Sequence, residues 1–253
     1  MSFCDNCFKA IQHDGSPEGE MTTLGGVPCY VATPPSGVEY PKDKVLLFLT
    51  DAWGLELRNS KLLADDYARN GFKTVVPDLF NGDPVPMSQL AADAPAFDWP
   101  SWLPNHAPAQ TRPLIDAVMG ALKAEGVTGF AAAGYCFGAR ETLDLAFDNA
   151  ISVAVIAHPS RLKVPADLET YLTKSTAPLL INSCTHDPVF PPASQAQADV
   201  ILGGGAFAPG YKRNYYEGCA HGFSVRGDLS DPVVKKAKEE AFEESVGWIK
   251  KYF

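Results

Sequence analysis

No stretch of this 253-residue chain approaches the run of about 20 apolar residues that a membrane-spanning helix requires. There is no excess of basic residues. Lys and Arg number 21 against 30 Asp and Glu, a net charge of −9, which argues against nucleic-acid or anionic-membrane partners. Residues 1–9 hold no apolar segment of the kind found in a signal peptide, so a cytoplasmic location is the expectation. Cysteine does not form a framework either. The six (4, 7, 29, 136, 184 and 219) are too scattered for a small disulfide-stapled fold, and most are expected as thiols. There is no internal repeat and no low-complexity linker. A chain of this length can bury a substantial core, and one α/β domain spanning residues 1–253 is expected.

What is present is an alternation of apolar runs and helical patterns. Residues 1–20 are polar and read as an N-terminal arm carrying Cys4-x-x-Cys7. That pair could be redox-active or half of a zinc site, but His13 and Cys29 do not complete a recognised zinc spacing. Unligated thiols or an incidental disulfide are expected, with no metal and no cofactor. Residues 21–33 carry Gly25-Gly26, a hairpin-type turn. Buried strands are predicted at 44–50, 73–76, 127–133, 151–157, 178–182 and 213–216. Helices are predicted at 58–70, 111–126, 140–147, 195–202 and 233–253. Residues 183–187 are expected beyond the end of their strand. This order implies a mostly parallel sheet with helices on both faces. Residues 82–108 break the rhythm with six prolines and with Phe97, Trp99 and Trp102. A long aromatic segment of this kind is a lid-like insertion or pocket wall, or else a loop packed onto the body.

The stretch 129–140 organises the rest. A small, apolar strand runs into Gly134-Tyr-Cys136-Phe-Gly138 and then into a helical pattern. A residue between two such glycines at a strand-to-helix turn sits in an elbow that lifts its side chain out of the fold. Here that side chain is a thiol. In an open parallel sheet, ligands bind beyond the carboxyl ends of the strands. Cys136, Asp187 and His221 all fall there, in the order nucleophile, acid, base, which is the α/β-hydrolase order. His221 would draw off the thiol proton and Asp187 would fix the imidazole tautomer. The backbone N–H groups of Phe137 and Ala52 are the candidate oxyanion donors.

Four elements together resemble the dienelactone hydrolases, also called carboxymethylenebutenolidases. They are the cysteine elbow, Val76-Pro-Asp-Leu79, Asp187 with its proline-bearing tail at 188–192, and His221-Gly-Phe223. The resemblance runs from about residue 25 to the C-terminus, and the polar start with two cysteines is similar to fungal members. It implies an enzyme that opens enol-lactones or cleaves esters with a Cys-His-Asp triad through a thioester. It also implies an acid after the first central strand that governs the resting thiol. Asp51 stands there, one methylene shorter than the Glu of the family, with Glu56 a poorer match. Of two arginines expected to bind a substrate carboxylate, Arg226 matches one. Asn81 and Gly82 occupy the place of the other. A larger, less charged small-molecule ester or lactone is therefore expected.

Trp53, His158, Trp99 and Trp102 are further substrate-binding candidates. Cys184 and Cys219 are read as buried fillers, His186 as a loop residue and Arg140 as a packing or pairing residue. Two alternatives stay open: a non-hydrolytic isomerase or lyase using the same pocket, and a non-catalytic ligand-binding member of the fold.

Overall fold

The computed structural model describes residues 12–91 and 93–253, so Cys4 and Cys7 lie outside the described residues. Its centre is one eight-stranded sheet built from the apolar runs. β1 (Glu20–Leu24) and β2 (Val27–Ala32) form a hairpin across Gly25-Gly26, whose φ values of 59° and 83° suit a tight primed turn. β3 (Lys44–Leu49), β4 (Thr74–Pro77), β5 (Gly129–Tyr135), β6 (Val153–Ala157), β7 (Leu179–His186) and β8 (Tyr211–Ala220) follow. The strand order is β1-β2-β4-β3-β5-β6-β7-β8. β2 is antiparallel to both its neighbours, and the pairs from β4 to β8 are parallel.

β3, β5, β6 and most of β7 are buried along their length, as strands covered on both faces must be. One group of mutually packed helices is α1 (Arg58–Arg69), α7 (Phe223–Arg226) and α8 (Pro232–Tyr252). The other is α3 (Pro108–Ala124), α4 (Gly138–Phe147), α5 (Ala166–Lys174) and α6 (Pro192–Leu202). Each is held by an apolar stripe. In α1 it is Leu63, Ala64, Tyr67 and Ala68, and burying a Leu-sized side chain contributes about 1.5–3 kcal/mol. Among the described residues no helix is long and apolar enough to cross a membrane.

Three expectations are corrected. β7 continues through His186, so residues 183–186 lie inside the strand, and only Asp187 stands at its end. β8 spans ten residues instead of four, because its partner β7 is longer too. α5 arises where no element was predicted, burying Leu168 and Tyr171 on one face. Residues 82–108 fold into short helical pieces. They hold two 3₁₀ turns and a short helix α2 (Trp99–Trp102), with both of its tryptophans buried.

The strand order places β4 on one side of β3 and β5 on the other. The chain therefore reverses direction across the sheet at β3/β5, and a crevice opens beyond their carboxyl ends.

Candidate active site

Cys136 sits in that crevice between β5 and α4, with φ at 50°, a left-handed value that an L-residue adopts only when its surroundings compel it. The flanking glycines supply the compulsion. A Cβ on Gly134 would overlap the Thr142 hydroxyl and the Gly138 carbonyl, and one on Gly138 would overlap the Leu49 carbonyl. The close approach is then sealed by hydrogen bonds. The amide of Gly138 donates to the Thr50 carbonyl (2.9 Å), and that of Cys136 to the Ala157 carbonyl (3.1 Å).

The other two strand ends deliver their groups to the sulfur. His221 Nε2 lies 3.0 Å from Cys136 Sγ, and His221 Nδ1 lies 3.0 Å from Asp187 Oδ2. Asp187 is held by its second oxygen, which accepts from the amides of Val189 (3.1 Å) and Phe190 (3.0 Å). His221 is held by its own amide, which donates to the His186 carbonyl (3.0 Å). Both side chains are buried. Burial alone would push the Cys136 thiol up, but the adjacent His221 and, further off, Arg226 bring it below its ordinary value. Burial likewise works against a charged His221, yet Asp187 and the sulfur raise it above the ordinary imidazole range. The two shifts favour one state, a thiolate beside an imidazolium.

A small cavity of about 30 Å³ opens in front of the sulfur, walled by Trp53, Trp99, Leu103, Phe137 and Val189. That is room for about one or two waters. The amides of Ala52 and Phe137 donate to no other group among the described residues, and both residues line this cavity.

The model of the dienelactone hydrolase family matches residues 27–253. The chain belongs to the dienelactone hydrolase family. This family member is 34% identical over 247 residues to hydrolase pyvD of Aspergillus violaceofuscus, covering 97% of this chain and 95% of the relative. It is 33% identical to dienlactone hydrolase 1 of Gibberella moniliformis, at 96% and 91% coverage. Among solved structures, a Klebsiella pneumoniae protein assigned to the dienelactone hydrolases superposes with a TM-score of 0.73. The overlap covers 92% of this chain and 98% of that one at 18% identity, a likeness of fold. With the family comes the class: the protein is a hydrolase.

The Asp51 carboxylate is fully buried and makes no hydrogen bond to the thiol, although its charge acts to raise it. One oxygen accepts from the Trp53 amide (3.2 Å) and the other faces Arg226 Nε at 3.6 Å. Burial pushes Asp51 upward, and Arg226 only partly offsets this. Arg226, also buried, stacks 4.8 Å over the Trp53 ring, reaches the His221 carbonyl (3.4 Å) and lines the cavity. Gly222 makes this possible, because a Cβ there would overlap the guanidinium. Glu56 is exposed and lies outside the cavity lining.

Arg161 has no counterpart in the sequence reading. It lines the cavity from the loop after β6, stacks 3.7 Å over the Phe137 ring, donates to the His106 carbonyl (3.3 Å) and pairs with buried Glu141 at 2.6 Å. The cavity thus has two guanidinium groups, where the sequence pointed to one. No sequence signal marks Arg161, since a left-handed backbone (φ 64°) turns it toward the cavity.

Two of the expected substrate contacts fall outside the lining. His158 is buried behind His221, with ring centroids 5.1 Å apart, and bonds Ser224 Oγ at 2.8 Å. Burial keeps it well below the ordinary imidazole range. Trp102 stacks on His106 (4.0 Å) and donates to the Asp83 carbonyl (3.0 Å), so it braces the wall that Trp99 presents. Cys184 and Cys219 are buried in a small apolar cluster with Tyr216 and Phe223. Arg140 pairs with Asp144 and Asp167, and His186 is exposed at the end of β7.

Proposed function

We propose that the protein hydrolyses lactones or esters with Cys136 as nucleophile, His221 as general base and acid, and Asp187 as the group that orients His221. The observation that carries this reading is the 3.0 Å and 3.0 Å relay from Sγ through the imidazole to a buried carboxylate, set at a cavity that two unpaired amides share. With the thiol proton on His221 Nε2, the Cys136 thiolate attacks the carbonyl carbon. The oxyanion forms within reach of the Phe137 and Ala52 amides. The carbon–oxygen bond breaks, the leaving oxygen takes the proton back from His221, and a thioester remains. Water, deprotonated by His221, attacks the thioester. The carbon–sulfur bond breaks, and the acid leaves with Cys136 restored.

The walls favour a flat, unsaturated or aromatic substrate, because Trp53, Trp99 and Phe137 offer ring faces. Each cavity guanidinium is matched by a buried carboxylate, Arg226 by Asp51 and Arg161 by Glu141. Little positive charge is left to attract an anionic substrate, so neutral lactones and aryl esters are preferred over the carboxylate-bearing dienelactone. Turnover of a neutral aryl ester is measured against dienelactone, and more efficient dienelactone turnover refutes the preference. Cys136→Ala is expected to abolish hydrolysis and Cys136→Ser to leave a trace, with an acyl group trapped on Cys136 visible by mass spectrometry. Full activity in Cys136→Ala refutes the nucleophile.

A further inference from the structure

β6 ends at Ala157, and the next residues turn back across the elbow. His158 and Arg161 hold left-handed φ values of 36° and 64°, and Ser160 lies between them. The loop is laced to the nucleophile through the backbone. The Ser160 amide donates to the Cys136 carbonyl (3.0 Å), and the Cys136 amide donates to the Ala157 carbonyl (3.1 Å). The position of the Ser160 hydroxyl is therefore fixed by the main chain and one short side chain. It lies 3.8 Å from Cys136 Sγ, in bonding range for sulfur, in a residue only 8% exposed that lines the cavity. Among the described residues that hydroxyl has no other partner. A buried hydroxyl needs one, and the sulfur is the group within reach.

We propose that Ser160 is a further catalytic group, whose hydroxyl donates a hydrogen bond to the Cys136 thiolate and holds it between turnovers. This rests on the reading of Cys136 as nucleophile. A hydroxyl can play both parts, accepting from the S–H of the thiol and donating to the thiolate by rotating about one bond. In the charged state His221 Nε2–H covers one side of the sulfur and Ser160 a second. Asp51 does not serve in this way. It faces Arg226, and as an anion near the sulfur it opposes the thiolate. The charged and titratable groups that act on this sulfur are His221 from the turn after β8, with Asp187 behind it, Arg226 from α7, and Asp51 from the loop after β3. Arg161 lies beside the cavity. All are unchanged by substitution at Ser160, so a change in the thiol's titration reports the hydroxyl.

The test is the pH dependence of Cys136 alkylation by iodoacetamide, read by peptide mass spectrometry so that the other cysteines do not contribute. It is run on the intact wild-type chain and on Ser160→Ala, Ser160→Thr and Ser160→Gly. In Ser160→Ala and Ser160→Gly the acid limb is expected to move up by about one pH unit. The rate one unit below the wild-type midpoint then falls about tenfold, while the plateau stays within about twofold. Ser160→Thr, which keeps the hydroxyl, restores the limb. Two variants without the hydroxyl keep the test standing if one of them fails to fold. A profile in Ser160→Ala or Ser160→Gly that superimposes on wild type overturns the proposal, as does a Ser160→Thr limb displaced as far as theirs. Alkylation needs no turnover. Failure of the hydrolase reading would instead be seen as undiminished hydrolysis in Cys136→Ala.

Discussion

Replacing Asp187 with Asn isolates the relay from its scaffolding. Asp187 Oδ1 accepts from the amides of Val189 and Phe190, and Asn can keep its own oxygen on those two donors. Its NH₂ then faces His221 Nδ1, where Oδ2 stood at 3.0 Å. An NH₂ cannot accept, so Nδ1 must become the acceptor and the imidazole proton moves to Nε2. That nitrogen, 3.0 Å from the sulfur, can no longer take the thiol proton. The buried imidazolium also loses the negative charge that raises its proton affinity. The two effects act on the same step. A fall in kcat of about 10⁴-fold is expected with the fold intact, which corresponds to about 5.5 kcal/mol of transition-state stabilisation. The assay pairs steady-state hydrolysis with the thermal midpoint and with Cys136 alkylation near neutral pH, which should slow together with hydrolysis. A kcat within tenfold of wild type, in a variant that melts like wild type, refutes the reasoning.

Gly138→Ala pushes a methyl into the Leu49 carbonyl and should cost on the order of 1–3 kcal/mol, read as a lower urea midpoint at unchanged slope. Arg226→Met strands the buried Asp51 carboxylate and should destabilise by about 3–5 kcal/mol, with Asp51→Asn in the same chain recovering part of that; additive losses refute the pairing. Because Cys136 is held below and His221 above their ordinary values, the acid limb of alkylation should lie below that of an ordinary thiol. Alkylation should fall as acid protonates the thiolate, and a limb at the ordinary thiol value contradicts the ion pair. Trp99→Ala removes one wall of a 30 Å³ cavity and should raise the rate of a bulky maleimide relative to iodoacetamide; an unchanged ratio means that Trp99 does not limit entry.

The parts of the site that lie on strand ends were legible in the sequence for a physical reason. A buried parallel strand is an uninterrupted apolar run, and its end is marked by Gly, Pro or a charge. The reading therefore brought Cys136, Asp187 and His221 to one edge of the sheet although 85 and 34 residues separate His221 from the other two. Strand lengths were less legible. Ser183 to His186 alternate polar and small side chains, and only the pairing with β8 keeps them extended. The aromatic segment showed that it needed burial, but not which tryptophan faces the cavity. The arrangement of Trp102 on His106 and of Trp99 on the lining is a packing choice among near neighbours.

The groups that escaped the sequence share a cause, and it bears on how the thiol is controlled. Ser160 and Arg161 are placed by left-handed backbone at His158 and Arg161, neither of them glycine, so Pro159 marks a turn in the sequence but not its left-handed course. Such strain persists only where the surroundings impose it. Here the elbow does so, through the Ser160 amide bonded to the Cys136 carbonyl. The left-handed Cys136 and the left-handed 158–161 loop therefore form one unit, each fixing the other. Asp51 lies 3.6 Å from Arg226, and its charge acts to raise the thiol, whereas the Ser160 hydroxyl is a neutral group that does not oppose the thiolate.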